Sequence, residues 1–180
     1  MSMVEIKIDD RETLRALDDI RTKCRQRGPL LREIAGIMHH AVEENFAHEG
    51  RPDKWKPLAA GTIRQRRAKG TWPGRILQAR GRLAASIQEK SDNDSVAVGT
   101  NVKYARIHQF GGEIKHGARE HVLHFGKDKR FARPSKAKYG MKASSGAHTT
   151  TMPARPFLHL EPTDLRRIMD AAKRYLATGV

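Results

Sequence analysis

The chain has 180 residues, with 35 Lys and Arg against 20 Asp and Glu, a formal net charge of +15. This length suits a single domain spanning residues 1–180 with a real hydrophobic core. The single cysteine, Cys24, excludes a disulfide framework and a zinc site built from cysteines. No apolar run approaches the roughly 20 residues that span a bilayer. The N-terminus lacks the pattern of a signal peptide, so we expect a protein of the reducing cytoplasm without membrane contact.

The positive charge is concentrated in two central stretches. Residues 51–90 carry 11 basic and 2 acidic side chains, and residues 101–160 carry 12 and 3, whereas residues 1–50 are net −2. A field of this kind favours a polyanion or an acidic partner surface. The alternative interpretation is a solvated basic face that binds nothing.

Hydrophobic periodicity predicts most of the regular elements. Alternating apolar residues predict a strand at residues 4–8, and a narrow apolar stripe predicts a helix at residues 11–27, capped by Asp10. A wide stripe at 3.6-residue spacing predicts a central core helix at residues 30–48, with Gly50 as its C-terminal cap. The remaining expected elements are a helical segment at 62–69, a short helix within 81–87, a hairpin of 86–90 with 95–100, a helical turn at 104–110, a strand at 120–125 and a helix at 162–176.

This order of elements does not alternate as repeating strand and helix units, which is typical of an α+β fold. We predict a small antiparallel β-sheet packed against a long central helix, with an N-terminal helix and a C-terminal helix. Residues 113–152 form a basic polar insertion, and we expect a flexible loop or an extended hairpin there. Residues 126–151 have little to bury, so we expect them to be mobile in the free subunit.

No motif for catalysis or cofactor binding is present, so we expect neither an enzyme nor a cofactor. Gly111-Gly112 is isolated and does not form a phosphate loop. A metal-dependent enzyme is a third hypothesis, because His39 or His40 with Glu43 or Glu44 could share one face of the long helix at four-residue spacing. The HExxH pattern of zinc proteases is absent, and these histidines fit the polar face of a helix.

A basic cluster at residues 64–69 raises the question of DNA binding. The irregular segment at residues 51–60 does not supply the first helix of a helix-turn-helix motif. Aromatic residues make up only 6% of the chain, so stacking platforms for single strands are not expected. Non-specific attraction to phosphates is compatible with the charge.

Three segments carry a family resemblance. They are Phe46-x-x-Glu49-Gly50-Arg51-Pro52-x-x-Trp55-x-Pro57-Leu58-x-x-x-Thr62, then Ile76-Leu77-x-x-x-Gly81-x-Leu83-x-x-Ser86-Ile87 with Val98-Gly99-Thr100-Asn101 and Tyr104-Ala105-x-Ile107-His108-Gln109-x-Gly111-Gly112, and finally Pro153-Ala154-Arg155-Pro156-Phe157-Leu158. Taken together over residues 30–176, they resemble the phage virion morphogenesis (tail completion) family of Mu-like phages. The insertion at 113–152 departs from the family, because it is longer and more basic than the short connection expected at that place.

The resemblance implies a structural phage assembly protein that completes the tail or joins the tail to the head at the neck. It also implies a homo-oligomeric ring, six-fold, around the DNA channel, with other tail or neck proteins as partners. Such a protein would reside in the virion, and in the host cytoplasm during assembly. A non-specific nucleic-acid-binding protein is the alternative.

Two groups of residues are the candidate sites. The expected oligomer or partner interface comprises Trp55, Leu58, Arg155, Pro156 and Phe157. The expected DNA-channel or basic surface comprises Arg64, Arg66, Arg67, Lys69, Lys127, Lys129, Arg130, Lys136 and Lys138. Trp55 is either a buried anchor or an interface hot spot. Arg155 lies in a stiff proline-flanked stretch that suits an ion pair, either across a subunit boundary or within the chain.

Overall fold

A computed structural model describes residues 10–127 and 130–178. Its helices are α1 (Arg11–Arg25), α2 (Gly28–Ala47), α3 (Ala60–Ala68), α4 (Ala105–Phe110) and α5 (Pro162–Thr178). Its strands are β1 (Gln88–Ser91), β2 (Val96–Gly99), β3 (Gly112–His116), β4 (Arg119–Phe125), β5 (Tyr139–Ser145) and β6 (His148–Met152). The strand predicted at residues 4–8 lies outside the described residues.

The described chain forms two compact units. The first unit comprises residues 10–105 together with 155–178, and the second comprises residues 106–154 apart from 128 and 129. The first unit holds the long helix and the hairpin β1–β2, and the second holds the other four strands.

Helix α2 is the centre of the first unit, as its wide apolar stripe predicts. It packs against β1, β2 and α5. Pro29 lies in its first turn, where a missing N–H costs nothing because that N–H has no helical partner. The buried apolar cluster that α2 organises consists of Val42, Phe46, Trp55, Leu83, Ile87, Ala105 and Phe157. The predicted class, an α+β fold with a small antiparallel sheet on a long central helix, is confirmed.

The hairpin β1–β2 is antiparallel, with Gln88 opposite Gly99 and Ser91 opposite Val96. Its turn is held by the Asp92 carboxylate, which accepts hydrogen bonds of 2.7 Å from the backbone N–H groups of Asp94 and Ser95. These N–H groups stabilise the ionised carboxylate, so the pKa of Asp92 lies below its ordinary value.

The ends of the first two helices differ from the predicted caps. Asp10 precedes α1, but its side chain makes no capping hydrogen bond. At the C-terminal end of α2 the capping residue is His48 rather than the predicted Gly50. The chain then turns through two residues in the left-handed region, Glu49 (φ 56°) and Gly50 (φ 110°). The N–H of Gly50 donates to the carbonyl of Asn45 at 2.8 Å, which closes the turn onto the helix.

After most of α4, the second unit is a two-stranded antiparallel ribbon. β3 pairs with β6 from Gly112↔Met152 to His116↔His148, and β4 pairs with β5 from Arg119↔Ser145 to Phe125↔Tyr139. The residues between the two ladders, 117–118 on one side and 146–147 on the other, interrupt the pairing. Gly111 (φ 70°) starts the ribbon, and a Cβ there would lie 2.7 Å from the Ala154 nitrogen.

Gly50→Ala should destabilise the protein. A Cβ at this position would lie 2.5 Å from the Asp53 carbonyl oxygen and 2.8 Å from the Trp55 nitrogen, so the backbone must move. We expect a loss of about 2–3 kcal/mol in the free energy of unfolding by urea denaturation. The matched control is Gly36→Ala at an exposed position of α2, where an added Cβ would meet no atom within 4 Å beyond the neighbouring helix backbone. This variant should gain about 0.5–1 kcal/mol in the free energy of unfolding. Equal effects of the two substitutions would contradict this account.

Candidate interaction surfaces

A buried polar network joins distant parts of the first unit. The Arg51 guanidinium donates to the Asn45 side-chain oxygen at 2.9 Å, to the Ala41 carbonyl at 2.8 Å and to the Asp164 carboxylate at 3.0 Å. The Asp164 side chain is only 2% exposed and also accepts a hydrogen bond from the Glu161 N–H. We call Asn45, Arg51 and Asp164 the Arg51 network. It connects α2, the turn after α2 and the start of α5.

Three aromatic rings pack beside this network. Phe46 meets Trp55 edge to face at 5.8 Å between centroids and lies 5.3 Å from Phe157. The Trp55 indole N–H donates to the Pro156 carbonyl at 3.0 Å, and the Asn45 amide donates to the carbonyl of Phe157 at 2.8 Å. Trp55 and Phe157 are buried at 6% and 0% exposure, so within one chain both serve as core residues. Their predicted contribution to an interface stays a prediction.

Arg155 is buried, with 4% exposure. Its guanidinium donates to the Lys56 carbonyl at 2.9 and 3.1 Å and to the Pro57 carbonyl at 3.3 Å, and no described carboxylate forms an ion pair with it. Burial lowers the pKa of Arg155, and the positive charge of Arg66 lowers it further. Within the chain, Arg155 therefore holds the segment after Trp55 through carbonyl oxygens, in place of the intrachain salt bridge that was one of its two predicted roles.

Leu58 lies at an apolar cleft of about 320 Å³ in the first unit. Trp55 lines its buried side, and Leu58, Ile63 and Trp72 are partly exposed to it. The remaining lining residues are Glu49, Lys54, Pro57, Gly74 and Ile76. We call this the Trp55–Trp72 cleft. Of the other predicted interface residues, Pro156 is exposed on the surface of the same unit.

The first predicted basic group lies on or directly after α3. Arg64, Arg67 and Lys69 are exposed, whereas Arg66 is half-buried and donates to the Arg75 carbonyl at 2.9 Å. Three of the four positive charges are therefore available to a partner, while Arg66 helps to hold the loop that follows α3.

The second predicted basic group lies at the far end of the ribbon, between β4 and β5. Lys127, Arg130, Lys136 and Lys138 are all exposed, and Lys129 lies outside the described residues. Residues 126–142 carry seven basic side chains against one acidic. The two basic groups belong to different units.

The ribbon also carries an aromatic cluster that periodicity did not reveal. The Phe125 ring stacks on Phe131 at 5.0 Å and on Tyr139 at 5.5 Å, and Phe131 is 75% exposed. Phe125 and Tyr139 are directly opposite in the ladder, and cross-strand aromatic pairs stabilise a ribbon that has little core. The low aromatic content of the chain concealed this local concentration.

The histidines of α2 pair with single carboxylates. His39 lies 3.3 Å from Glu89, His40 lies 3.8 Å from Glu43, and His48, just after the helix, lies 3.3 Å from Glu44. Among residues 10–127 and 130–178, no three His, Cys, Asp or Glu side chains gather as metal ligands would. None of the helices in that same part of the chain combines the length and hydropathy needed to cross a bilayer.

Comparison with known proteins decides the family. Residues 8–177 match the profile of the phage virion morphogenesis family. The chain belongs to this family. It is 36% identical over 174 residues to the Mu-like prophage FluMu G protein 2 of Haemophilus influenzae, covering 96% of each chain. It is 25% identical over 180 residues to the putative capsid assembly protein G of Escherichia phage Mu, covering 98% of this chain and 96% of that one. No solved structure matches significantly.

Membership of the phage virion morphogenesis family confirms the resemblance and gives the chain a structural role in phage assembly. The Arg51 network lies within the matched region, yet sequence reasoning assigned it no role. One signal was available: Asn45 is a polar residue between Val42 and Phe46 on the apolar face of α2, and a buried amide requires partners. The two acceptors of its NH2 group, however, are more than one hundred residues away in sequence.

Asp164→Asn should be strongly destabilising. The substitution leaves the Arg51 guanidinium, whose side chain is 17% exposed, without its counter-charge. Removing one partner of a buried pair costs about 3–5 kcal/mol, and we expect a loss near 3 kcal/mol because Arg51 keeps two neutral acceptors. The control is Asp170→Asn on the same helix, whose 68% exposed side chain pairs with Lys173. It should change the free energy of unfolding by less than about 0.5 kcal/mol.

Proposed function

We propose that this protein completes the phage tail or joins the tail to the head at the neck, as a six-fold ring of identical copies around the DNA channel. The observation that carries the proposal is the exposure of positive charge on both units. The charged side chains that α3, Lys69 and the described part of residues 126–138 expose are all basic. A conduit for DNA needs contacts with phosphates that do not depend on base sequence, and exposed lysine and arginine supply them.

The neighbouring features support a structural task. In the first unit, the Arg51 network forms hydrogen bonds within the chain, and the aromatic rings of Phe46, Trp55 and Phe157 pack on one another. Both sets of residues therefore stabilise the fold. The phage Mu relative is named as a putative capsid assembly protein, which agrees with such a task. Partners would be other tail or neck proteins, and the protein would be found in the virion and, during assembly, in the host cytoplasm.

The second candidate function is non-specific nucleic-acid binding by a protein that does not form rings. The same exposed charge favours it, since seven basic residues lie within residues 126–142. The two candidates differ in what holds copies together. Ring contacts made by apolar groups persist in high salt, whereas assemblies held together by DNA dissociate.

Wild-type protein, freed of nucleic acid, should form defined oligomers in high salt. Light scattering coupled to size-exclusion chromatography should give a mass that is a fixed multiple of 20.3 kDa, and negative-stain images should show rings. Alanine substitution of Lys127 and Lys136 should leave that mass unchanged, because exposed charges contribute little to an apolar interface. A monomer at every concentration would contradict the proposed function and favour the second candidate.

Duplex DNA binding should depend on the ribbon charges. We expect the double variant Lys136→Ala, Lys138→Ala to weaken affinity for unrelated DNA sequences equally. The slope of log K against log salt should fall by about 2, one for each phosphate contact removed. The control replaces two exposed lysines outside both basic groups, Lys103→Ala and Lys173→Ala, and should retain the wild-type slope. Matching losses in both double variants would show that the ribbon is not the DNA surface.

A further inference from the structure

Three aromatic rings form a row across the end of the ribbon. Phe125, the last residue of β4, pairs with Tyr139 of β5 in the ladder and with Phe131 through an isolated bridge. A strand has one neighbour along each edge, so Phe131 and Tyr139 flank Phe125 on its two sides. The ring planes are inclined by only 26° between Phe125 and Phe131 and by 16° between Phe125 and Tyr139. We call these three residues the aromatic row.

Backbone hydrogen bonds hold the aromatic row in place. The Gly126 N–H donates to the Arg130 carbonyl at 2.9 Å, and the Ala132 N–H donates to the His124 carbonyl at 2.8 Å, so the chain on both sides of Phe131 is tied to the end of β4. The Lys138 N–H donates to the Phe125 carbonyl at 2.8 Å, directly before Tyr139. Rings that are already ordered lose little further freedom when a ligand binds to them.

The aromatic row is also open to solvent. Phe131 is 75% exposed and Tyr139 is 47% exposed. A flat apolar group can therefore extend the row by stacking on the Phe131 ring, and nucleic-acid bases stack on exposed aromatic side chains whatever their sequence. The aromatic content of 6% predicted no such platform, because composition does not show that three rings meet in the folded chain.

The charge near the aromatic row is positive. Residues 121–150 carry seven basic side chains and one acidic, Asp128, which lies outside the described residues. The other acidic residues of the second unit are Glu113 on β3 and Glu120 on β4, and Glu120 precedes Phe125 by five residues, about 17 Å along the strand. The exposed basic side chains of this stretch include Lys127, Arg133, Lys136, Lys138 and Lys142.

This combination of groups distinguishes between two kinds of partner. The core of a protein–protein interface is depleted of charged residues, whereas exposed rings among lysine and arginine are typical of surfaces that bind single-stranded nucleic acid. The phosphates of a polynucleotide supply the negative charge that complements the ribbon end, and its bases supply the flat groups that complement the rings.

We propose that the aromatic row binds single-stranded nucleic acid, with a base stacked on the Phe131 ring and the adjacent phosphates held by the basic side chains of the ribbon end. Neighbouring base pairs cover both faces of a base inside a duplex, so an unpaired base reaches the ring without the cost of unstacking. The ring therefore adds affinity for single strands and unpaired ends that a blunt duplex does not gain. This inference rests on the proposed contact between the ribbon and DNA, and it adds the base to the groups recognised.

Affinities for a short oligothymidine and for a blunt duplex of the same length test the proposal. In fluorescence anisotropy, Phe131→Ala should weaken binding of the single strand about tenfold, which is within the range that one stacked base contributes, and binding of the duplex less than about twofold. Circular dichroism should remain that of the wild type, since the side chain is largely exposed. An equal loss for single strand and duplex would overturn the proposal.

Matched variants separate stacking from other effects of the substitution. Phe131→Trp should retain the wild-type affinity for the single strand, whereas Phe131→Leu should lose as much as alanine does, because leucine is apolar but has no flat ring. The control is Phe110→Ala on α4, whose side chain is 73% exposed and lies outside the aromatic row. It should leave both affinities unchanged. Wild-type affinity in Phe131→Leu would contradict a stacked base.

Salt dependence separates the ring from the charges. Stacking releases no counterions, so Phe131→Ala should lower the affinity for the single strand while leaving the slope of log K against log salt unchanged. The double variant Lys136→Ala, Lys138→Ala should lower that slope by about 1.4, which is about 0.7 for each phosphate contact removed. A fall of the slope in Phe131→Ala would show that the substitution disturbs the basic side chains and would count against stacking.

Photocrosslinking locates the base on the wild-type protein. Irradiation of its complex with an oligothymidine that contains 5-iodouracil should attach the base to Phe131, as identified by mass spectrometry of the peptides. Attachment to another residue would overturn the proposal. If Phe131→Ala binds the single strand like the wild type while the lysine double variant binds it weakly, the stacked base is wrong and the phosphate contacts of the proposed function stand. If the wild-type protein binds neither nucleic acid, the proposed contact with DNA itself fails.

Discussion

The pairing of Arg51 with Asp164, inside the Arg51 network, is the interaction on which the first unit depends. One guanidinium contacts α2, a buried amide and the first turn of α5, and so fixes the turn that leads to Trp55. Trp55 in turn forms the buried side of the cleft and hydrogen-bonds the segment before α5. A buried ion pair of this kind need not add stability compared with an apolar replacement, but it is costly to break from one side. Through these contacts it joins the turn before Trp55 to both α2 and α5.

Local patterns predicted the elements that bury a continuous face. The wide stripe of α2 and the alternation of Val96 and Val98 in β2 were sufficient because Val98 packs against the core cluster that contains Val42 and Phe46. For the ribbon, periodicity predicted one strand, at residues 120–125, and left a flexible loop or an extended hairpin as alternatives for 113–152. A two-stranded ladder is satisfied by cross-strand hydrogen bonds and pairs such as Phe125 with Tyr139. Its residues have no buried face and hence no strong period. The Asp10 cap failed for a similar reason: the residue type permits a cap but does not require one.

The candidate sites divide in the same way. Aromatic residues such as Trp55 and Phe157 attract attention in any sequence, and both are central in the structure. Asn45 and Asp164 were not predicted as structural residues. Each forms a hydrogen bond to a residue more than one hundred positions away, and a single sequence does not reveal such contacts. Likewise, the stripe of α1 could be read from its spacing, whereas its exposure could not. The sequence predicts which faces are apolar, and the structure shows which of them the chain leaves uncovered.

The proposed function, a subunit that joins identical copies around the DNA channel, rests on the exposed basic side chains of both units. Electron microscopy of phage lysates lacking this gene tests that claim most directly. We predict unjoined heads and incomplete tails, with normal particles restored by the wild-type protein and by its Gly36→Ala variant but not by Asp164→Asn. Complete, DNA-filled, infectious particles assembled without the protein would contradict the account.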